Sequence, residues 1–145
     1  MSAIPIVLKI ESSSAQNGDT PEIISLLTAG NMVISENNIT ILYQESLDDS
    51  QRMQSVRLTF DGNTLVMHRE GDYNTDMVFR NGCRYEGIYE TPFGEMEMGV
   101  FCSRLDSFLD CETGKADFHI SYQLDLNGKF IASHEMHIAA ESEKQ

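Results

Sequence analysis

Three charged or titratable side chains fall where the surrounding pattern asks for an apolar residue. A carboxylate ends the run Ile39, Ile41, Tyr43, Glu45, and a guanidinium ends Leu65, Met67, Arg69. An imidazole sits inside Phe130, Ala132, His134, Met136, Ile138. Residues two apart share one face of a strand, so each polar group points the same way as its apolar neighbours. A charge on such a face must be paired or wet, because burying it alone costs too much. A few polar anchors set into an apolar, Met- and Tyr-rich lining is how small-molecule pockets are built. Tyr43, Glu45, Arg69, Tyr89, Thr91, Met98, Tyr122 and His134 are the candidate lining. The plainer alternative puts Glu45 and Arg69 in water at strand ends and makes His134 a hydrogen-bonded core histidine.

Other chemistries fit the sequence less well. His134-Glu135-Met136-His137 suggests a metal site, but a zinc HExxH needs its histidines one helical turn apart. In a strand, positions 134 and 137 face opposite sides, so no metal is expected. Glu45 and His134 would do acid–base work only if they met inside the fold. No GxSxG elbow, P-loop or dinucleotide fingerprint appears, so the expectation is a non-enzyme without a cofactor. Glu86, Glu90, Glu95 and Glu97 flank the turn Thr91-Pro92-Phe93-Gly94 and form an acidic stripe. That stripe is either a solvated face or a dock for a basic protein or a hard cation.

The elements that position these groups are short alternating strands joined by tight turns, FDGN, RNGC, TPFG, ETGK and LNGK. Asn or Asp beside Gly supplies the positive φ angles of hairpin turns. The cleanest alternation is Phe118, Ile120, Tyr122, Leu124, Leu126 against Asp117, His119, Ser121, Gln123, Asp125. Tyr85, Tyr89 and Thr91 share a face before the TPFG turn, with Met96, Met98 and Val100 beyond it. Strands are expected at Ile4 to Ile10, Ile39 to Glu45, Val56 to Phe60, Thr64 to Glu70 and Asp76 to Arg80. Further strands are expected at Arg84 to Thr91, Glu95 to Asp110, Ala116 to Leu126 and Phe130 to Ala140. Ser12 to Thr20 and Glu141 to Gln145 read as loop or frayed end. From Thr20 to Gly30 a cap, a proline and a closing glycine favour a short helix, while the apolar run equally suits a buried strand. So many consecutive hairpins make an up-and-down antiparallel meander of about ten strand segments, which tends to close into a barrel.

Composition narrows the partners. At 145 residues a single domain spanning 1–145 is expected, with enough chain for a core that needs no staples. A net charge of −13, from 10 basic and 23 acidic residues, repels phosphate backbones and anionic lipid. Neither nucleic acid nor membrane is therefore an expected partner. A small apolar ligand or a basic protein is compatible with that charge. Cys83, Cys102 and Cys111 are odd in number and lack metal-ligand spacing. Cys102 lies among apolar strand positions, where a thiol acts as a small hydrophobe. With no secretory signal pattern at the start, a reducing cytoplasm is the expected compartment.

MVFRNG, then YETPFG, then MEMGVF, within Tyr73 to Leu105, resembles the YwiB-like family of uncharacterised bacterial proteins. ITILYQES near Ile39 and YQLDLNGKFIASHEMHI near the C-terminus follow in the same order, so the resemblance covers most of the chain from about Ile39. Cys102 departs from it, standing where a hydroxyl residue is more usual. The resemblance implies an all-β, single antiparallel up-and-down barrel of lipocalin-like (calycin-type) form, and it implies a strand for Thr20 to Gly30. It implies no catalytic residue and no cofactor.

Overall fold

Alternation and turn chemistry agree along nearly the whole chain, and the computed structural model follows them. It describes residues 3–15, 20–36, 38–46, 53–71, 74–110 and 112–143. Ten strands run in chain order: β1 (Ile4–Ala15), β2 (Glu22–Ile34), β3 (Ile39–Ser46), β4 (Met53–Phe60), β5 (Leu65–Glu70), β6 (Thr75–Phe79), β7 (Cys83–Thr91), β8 (Gly94–Asp110), β9 (Lys115–Leu126) and β10 (Lys129–Ser142). Each pairs antiparallel with its sequence neighbours, and β1 pairs with β10 to close the ring. Closure pairs the two end strands that an open meander would leave as sheet edges. Among the described residues no helix is long and apolar enough to cross a membrane.

All five expected turns carry a glycine at positive φ. Asn127 joins Gly128 there, at φ 52° and 81°, which is the two-residue hairpin geometry that matches strand twist. The region from Glu22 to Gly30 is strand, as the resemblance implied and against the local helix signals. β1 offers it a full ladder from Glu22 to Met32, and that pairing outweighs a capping pattern worth about 1 kcal/mol. Ser12 to Ala15, expected as loop, continues β1 and pairs with β10 throughout and with β2 as far as Ser14. Residues 16–19, Tyr73, Cys111 and the last two residues of the tail lie outside the described residues.

The inner faces follow the period-two pattern. Ile6, Leu8, Ile41, Leu65, Phe79, Val100 and Ile138 are fully buried, and Cys102 is buried among them as the small hydrophobe expected. Phe60 on β4 and Phe118 on β9 meet edge to face at 5.1 Å between ring centroids. Those strands stand five places apart in a ring of ten, so the contact crosses the lumen. At that level the barrel is closed by side chains.

Two bulges break the alternation. In β10 the register shifts between Phe130 and Ala132. Phe130, expected inward, instead pairs with Asp125 and is exposed on the outer wall. In β8 the shift between Cys102 and Arg104 turns Leu105 inward opposite Ile120. Asn81 secures the second bulge: its amide donates to the Leu105 carbonyl at 2.8 Å, and its carbonyl accepts the Leu105 N–H at 2.7 Å. An extra residue on one strand reverses the facing of everything beyond it.

Candidate functional site

Two cross-strand rows carry most of the expected lining. The first runs across the inner wall as Tyr43 on β3, Val56 on β4, Arg69 on β5, Thr75 on β6 and Tyr89 on β7, each directly opposite the next. The second joins Ser14 on β1, His134 on β10, Tyr122 on β9 and Cys102 on β8. Residues directly opposite in an antiparallel pair share a face, so both rows point into the barrel.

Glu45 stands one inward step beyond Tyr43 and completes a diagonal ion pair. Arg69 Nε donates to Glu45 Oε2 at 3.1 Å, and Gln54 Nε2 donates to the same oxygen at 2.6 Å. The two side chains keep only 28% and 19% of their surface in contact with solvent. Arg69 Nη1 approaches Met77 Sδ at 4.0 Å. Tyr43 is almost wholly buried, and burial, followed by the Glu45 charge, pushes its hydroxyl far above the ordinary tyrosine value while Arg69 pulls it back. Burial raises Tyr122 as well, and there too the Arg69 charge works in the opposite sense. One guanidinium thus acts on tyrosines from both rows.

His134 stacks on Tyr122 with centroids 4.8 Å apart and planes 12° from parallel. Among the described residues its Nε2 is enclosed without a hydrogen-bond partner. Burial lowers the His134 pKa, so the native state favours the neutral ring. Below about pH 6.5 the unfolded chain takes up a proton that the native state resists. This group's contribution to stability is therefore complete above that pH and is lost as pH falls toward the native pKa. The urea midpoint is expected to drop between about pH 7.5 and pH 5.5, and His134→Phe to remove part of that slope. An unchanged slope in the variant would mean that His134 titrates alike in both states.

The remaining lining candidates divide. Met98 is buried inside. Tyr89 is on the inner face, but it lies on a seam where β6 and β7 share one bridge and is exposed. Thr91 belongs to the turn rather than to a lining: its hydroxyl donates to the Gly94 carbonyl at 2.7 Å and accepts the Phe93 N–H at 3.1 Å. The Glu45 carboxylate is held by Arg69 and Gln54. Gln54 and Thr75 were missed because β4 and β6 begin earlier than their apolar residues suggest. Extending the inner-face parity two residues before Val56 would have found Gln54.

An open groove of about 490 Å³ lies where β2 and β3 part company, with Tyr43 and Val56 on its inner side and Leu42 and Met53 on its outer side. Pairing between the two strands stops at Gly30 and Tyr43. Gly30 is required there, because a Cβ would come within 2.6 Å of the Leu42 carbonyl. On the far wall Arg84 grips Asp125 with bonds of 2.8 and 2.9 Å, and it does so over Gly99. A Cβ on Gly99 would run into the Arg84 guanidinium.

His137 faces outward, opposite in sense to His134. It bonds Asp117 at 3.0 Å and stacks on His119. Among the described residues no group of three or more His, Cys, Asp or Glu side chains is arranged to hold a metal. In the acidic hairpin Glu86 pairs with Arg84, and Glu90 accepts the Asn74 N–H at 2.6 Å. Glu90 and Glu95 stand directly opposite each other.

The profile of a family described as Domain of unknown function (DUF1934) matches residues 8–138. The uncharacterized β-barrel protein YwiB of Bacillus subtilis (strain 168) is 27% identical over 137 residues, covering 94% of this chain and 93% of that protein. The crystal structure of the B. subtilis ywiB protein superposes with a TM-score of 0.85 at 24% identity, covering 98% of this chain and 94% of that one. The likeness in structure is a likeness of fold.

Proposed function

We propose that this chain, which belongs to the DUF1934 family, is a non-enzymatic binding module for a small, largely apolar molecule with one polar end. The observation that carries this reading is the inner row Tyr43–Val56–Arg69, two of whose residues, Tyr43 and Val56, line an open groove of about 490 Å³ in the wall. Pockets of about 300–1,000 Å³ with few convergent polar groups are the usual size and composition of such sites. Since Phe60 and Phe118 close the lumen, the ligand lies toward the Arg69–Glu45 pair and the β2–β3 fork. Its polar end meets the guanidinium, and its apolar body covers Tyr43, Val56, Leu42 and Met53. The reducing cytoplasm is the proposed compartment, on the odd count of cysteines without a pairing framework.

Native mass spectrometry of protein purified from its own host tests the reading. A retained small molecule is expected, together with saturable binding of an anilinonaphthalene sulfonate probe to the emptied protein. Arg69→Ala is expected to weaken probe binding by about tenfold, the loss of one charge-assisted contact. No retained mass and no saturable probe binding would sink the proposal.

A second reading is favoured by the β7–β8 hairpin. Phe93 at its tip is 98% exposed, between strands that set Glu90 against Glu95. Like charges directly opposite are unfavourable, and a basic partner with an apolar pocket would relieve them while covering the phenyl ring. Pull-down with Glu86, Glu90, Glu95 and Glu97 reversed in charge should then lose a partner. An unchanged set of partners would remove this reading.

A further inference from the structure

β2 is paired along most of its length on one side and along less than half of it on the other. β1 bonds it from Glu22 to Met32, whereas β3 bonds it only from Gly30 to Ile34. From Glu22 to Ala29 the second edge has no strand partner among the described residues. Native sheets usually blunt such an edge with Lys, Pro or an inward charge. Between Ile23 and Ile34 this one carries none of them; its single charge, Glu22, stands at the end of the strand, directly after Pro21. Ile23, Ile24 and Leu27 are 70%, 59% and 72% exposed.

The order of residues along this edge is symmetric. Reading outward from Ser25, Ile24 mirrors Leu26, Ile23 mirrors Leu27 and Glu22 mirrors Thr28. The register with β1 fixes the faces. Ile24 and Leu26 lie opposite Ser12 and Ile10 on the inner face, and Ile23 and Leu27 lie on the outer face. A two-fold axis perpendicular to the sheet keeps inner with inner and outer with outer, so only registers centred on a residue are allowed. Centring on Ile24 sets Ile23 against Ser25, and centring on Leu26 sets Ser25 against Leu27. Centring on Ser25 alone pairs Ile24 with Leu26 and Ile23 with Leu27 on both sides of the axis. An isologous interface needs that self-complementarity.

We infer that the Glu22–Ala29 edge of β2 is a homodimerisation edge, where a second copy of this chain adds its own β2 antiparallel across a two-fold at Ser25. Backbone hydrogen bonds supply the affinity, and the four apolar pairs select the register. A partner of opposite charge finds only Glu22 at the end of this edge, and in the register centred on Ser25 each Glu22 stands opposite a Thr28 rather than opposite the other Glu22. One strand edge and three exposed side chains fall short of the about 800 Å² per partner of a tight interface, so the association is weak.

Sedimentation velocity from about 5 to 500 µM, a span around the affinity expected of a weak interface, should show a 16.3 kDa monomer giving way to a dimer. Leu27→Lys, which puts a charge on the outer face, and Ser25→Pro, which puts a proline on the axis, should weaken dimerisation at least tenfold. A monomer at every concentration overturns the inference, and so does a dimer indifferent to both substitutions. A third variant covers the case in which those two fail to fold. Directly opposed residues have Cα atoms about 4.5–5.5 Å apart, inside the disulfide window of about 4.4–6.8 Å. In a Cys83→Ser, Cys111→Ser background, Ser25→Cys should cross-link to itself under mild air oxidation, with oxygen taking the electrons and protons of the two thiols. Ser13→Cys on the neighbouring strand should not. Equal cross-linking of the two, or none at Ser25→Cys, also overturns it.

Discussion

Phe118→Ala is expected to lower the free energy of unfolding by about 3–5 kcal/mol, measured by urea denaturation. Phe118 is 1% exposed and its ring abuts Phe60 from the opposite wall. Removing it loses the transfer free energy of the ring and leaves a cavity that the surrounding wall cannot readily collapse, because β9 is paired along its length with both β8 and β10. A domain of this size is stable by about 5–15 kcal/mol, so this one change removes a large share. Phe118→Leu, which keeps most of the volume, should cost less than about 1.5 kcal/mol. Phe93→Ala, at the exposed hairpin tip, should stay within about 0.5 kcal/mol. A loss below about 1 kcal/mol for Phe118→Ala would mean that the lumen is not packed at this level.

Arg69→Ala is expected to cost about 1–3 kcal/mol, because it leaves the Glu45 carboxylate among apolar neighbours with Gln54 as its remaining donor. The informative comparison is a double-mutant cycle. Glu45→Gln alone should cost less than Arg69→Ala, and Arg69→Ala together with Glu45→Gln should recover part of the loss, since the uncompensated charge is gone. Additive effects would mean that the two groups do not share an ion pair in solution. If the binding proposal holds, the double variant regains stability without regaining the retained ligand. That outcome separates the pair's structural role from recognition.

Particular residues mark how far sequence reasoning reached. The inner placing of Tyr43, Arg69, Met98, Tyr122 and His134 follows from period two alone, because each lies on a strand whose neighbours are apolar at the same parity. Phe130 shows where parity fails. The bulge after it inserts a residue that no turn or propensity signal announces, and the ring goes to the outer wall. Thr91 shows a second limit. A threonine one step from a Pro-Phe-Gly turn reads equally as the last inner residue or as the side chain that ties the turn, and hydrogen-bond geometry decides for the turn. Glu45 and Arg69 were each legible as polar groups on an apolar face. Their meeting was not, since it depends on the stagger of three strands.

Local signals determined the hairpins, the inner faces of nearly every strand and the sign of the surface field. Turn chemistry, alternation and charge act between residues close in sequence, so they are written in order along the chain. Tertiary structure decided the rest: the fate of Glu22 to Gly30, closure of β1 on β10, the Phe60–Phe118 plug, and the convergence of Arg69 with residues from facing walls. Those outcomes depend on register and shear around the whole ring, which sum small choices from all ten strands and leave no mark on any one of them.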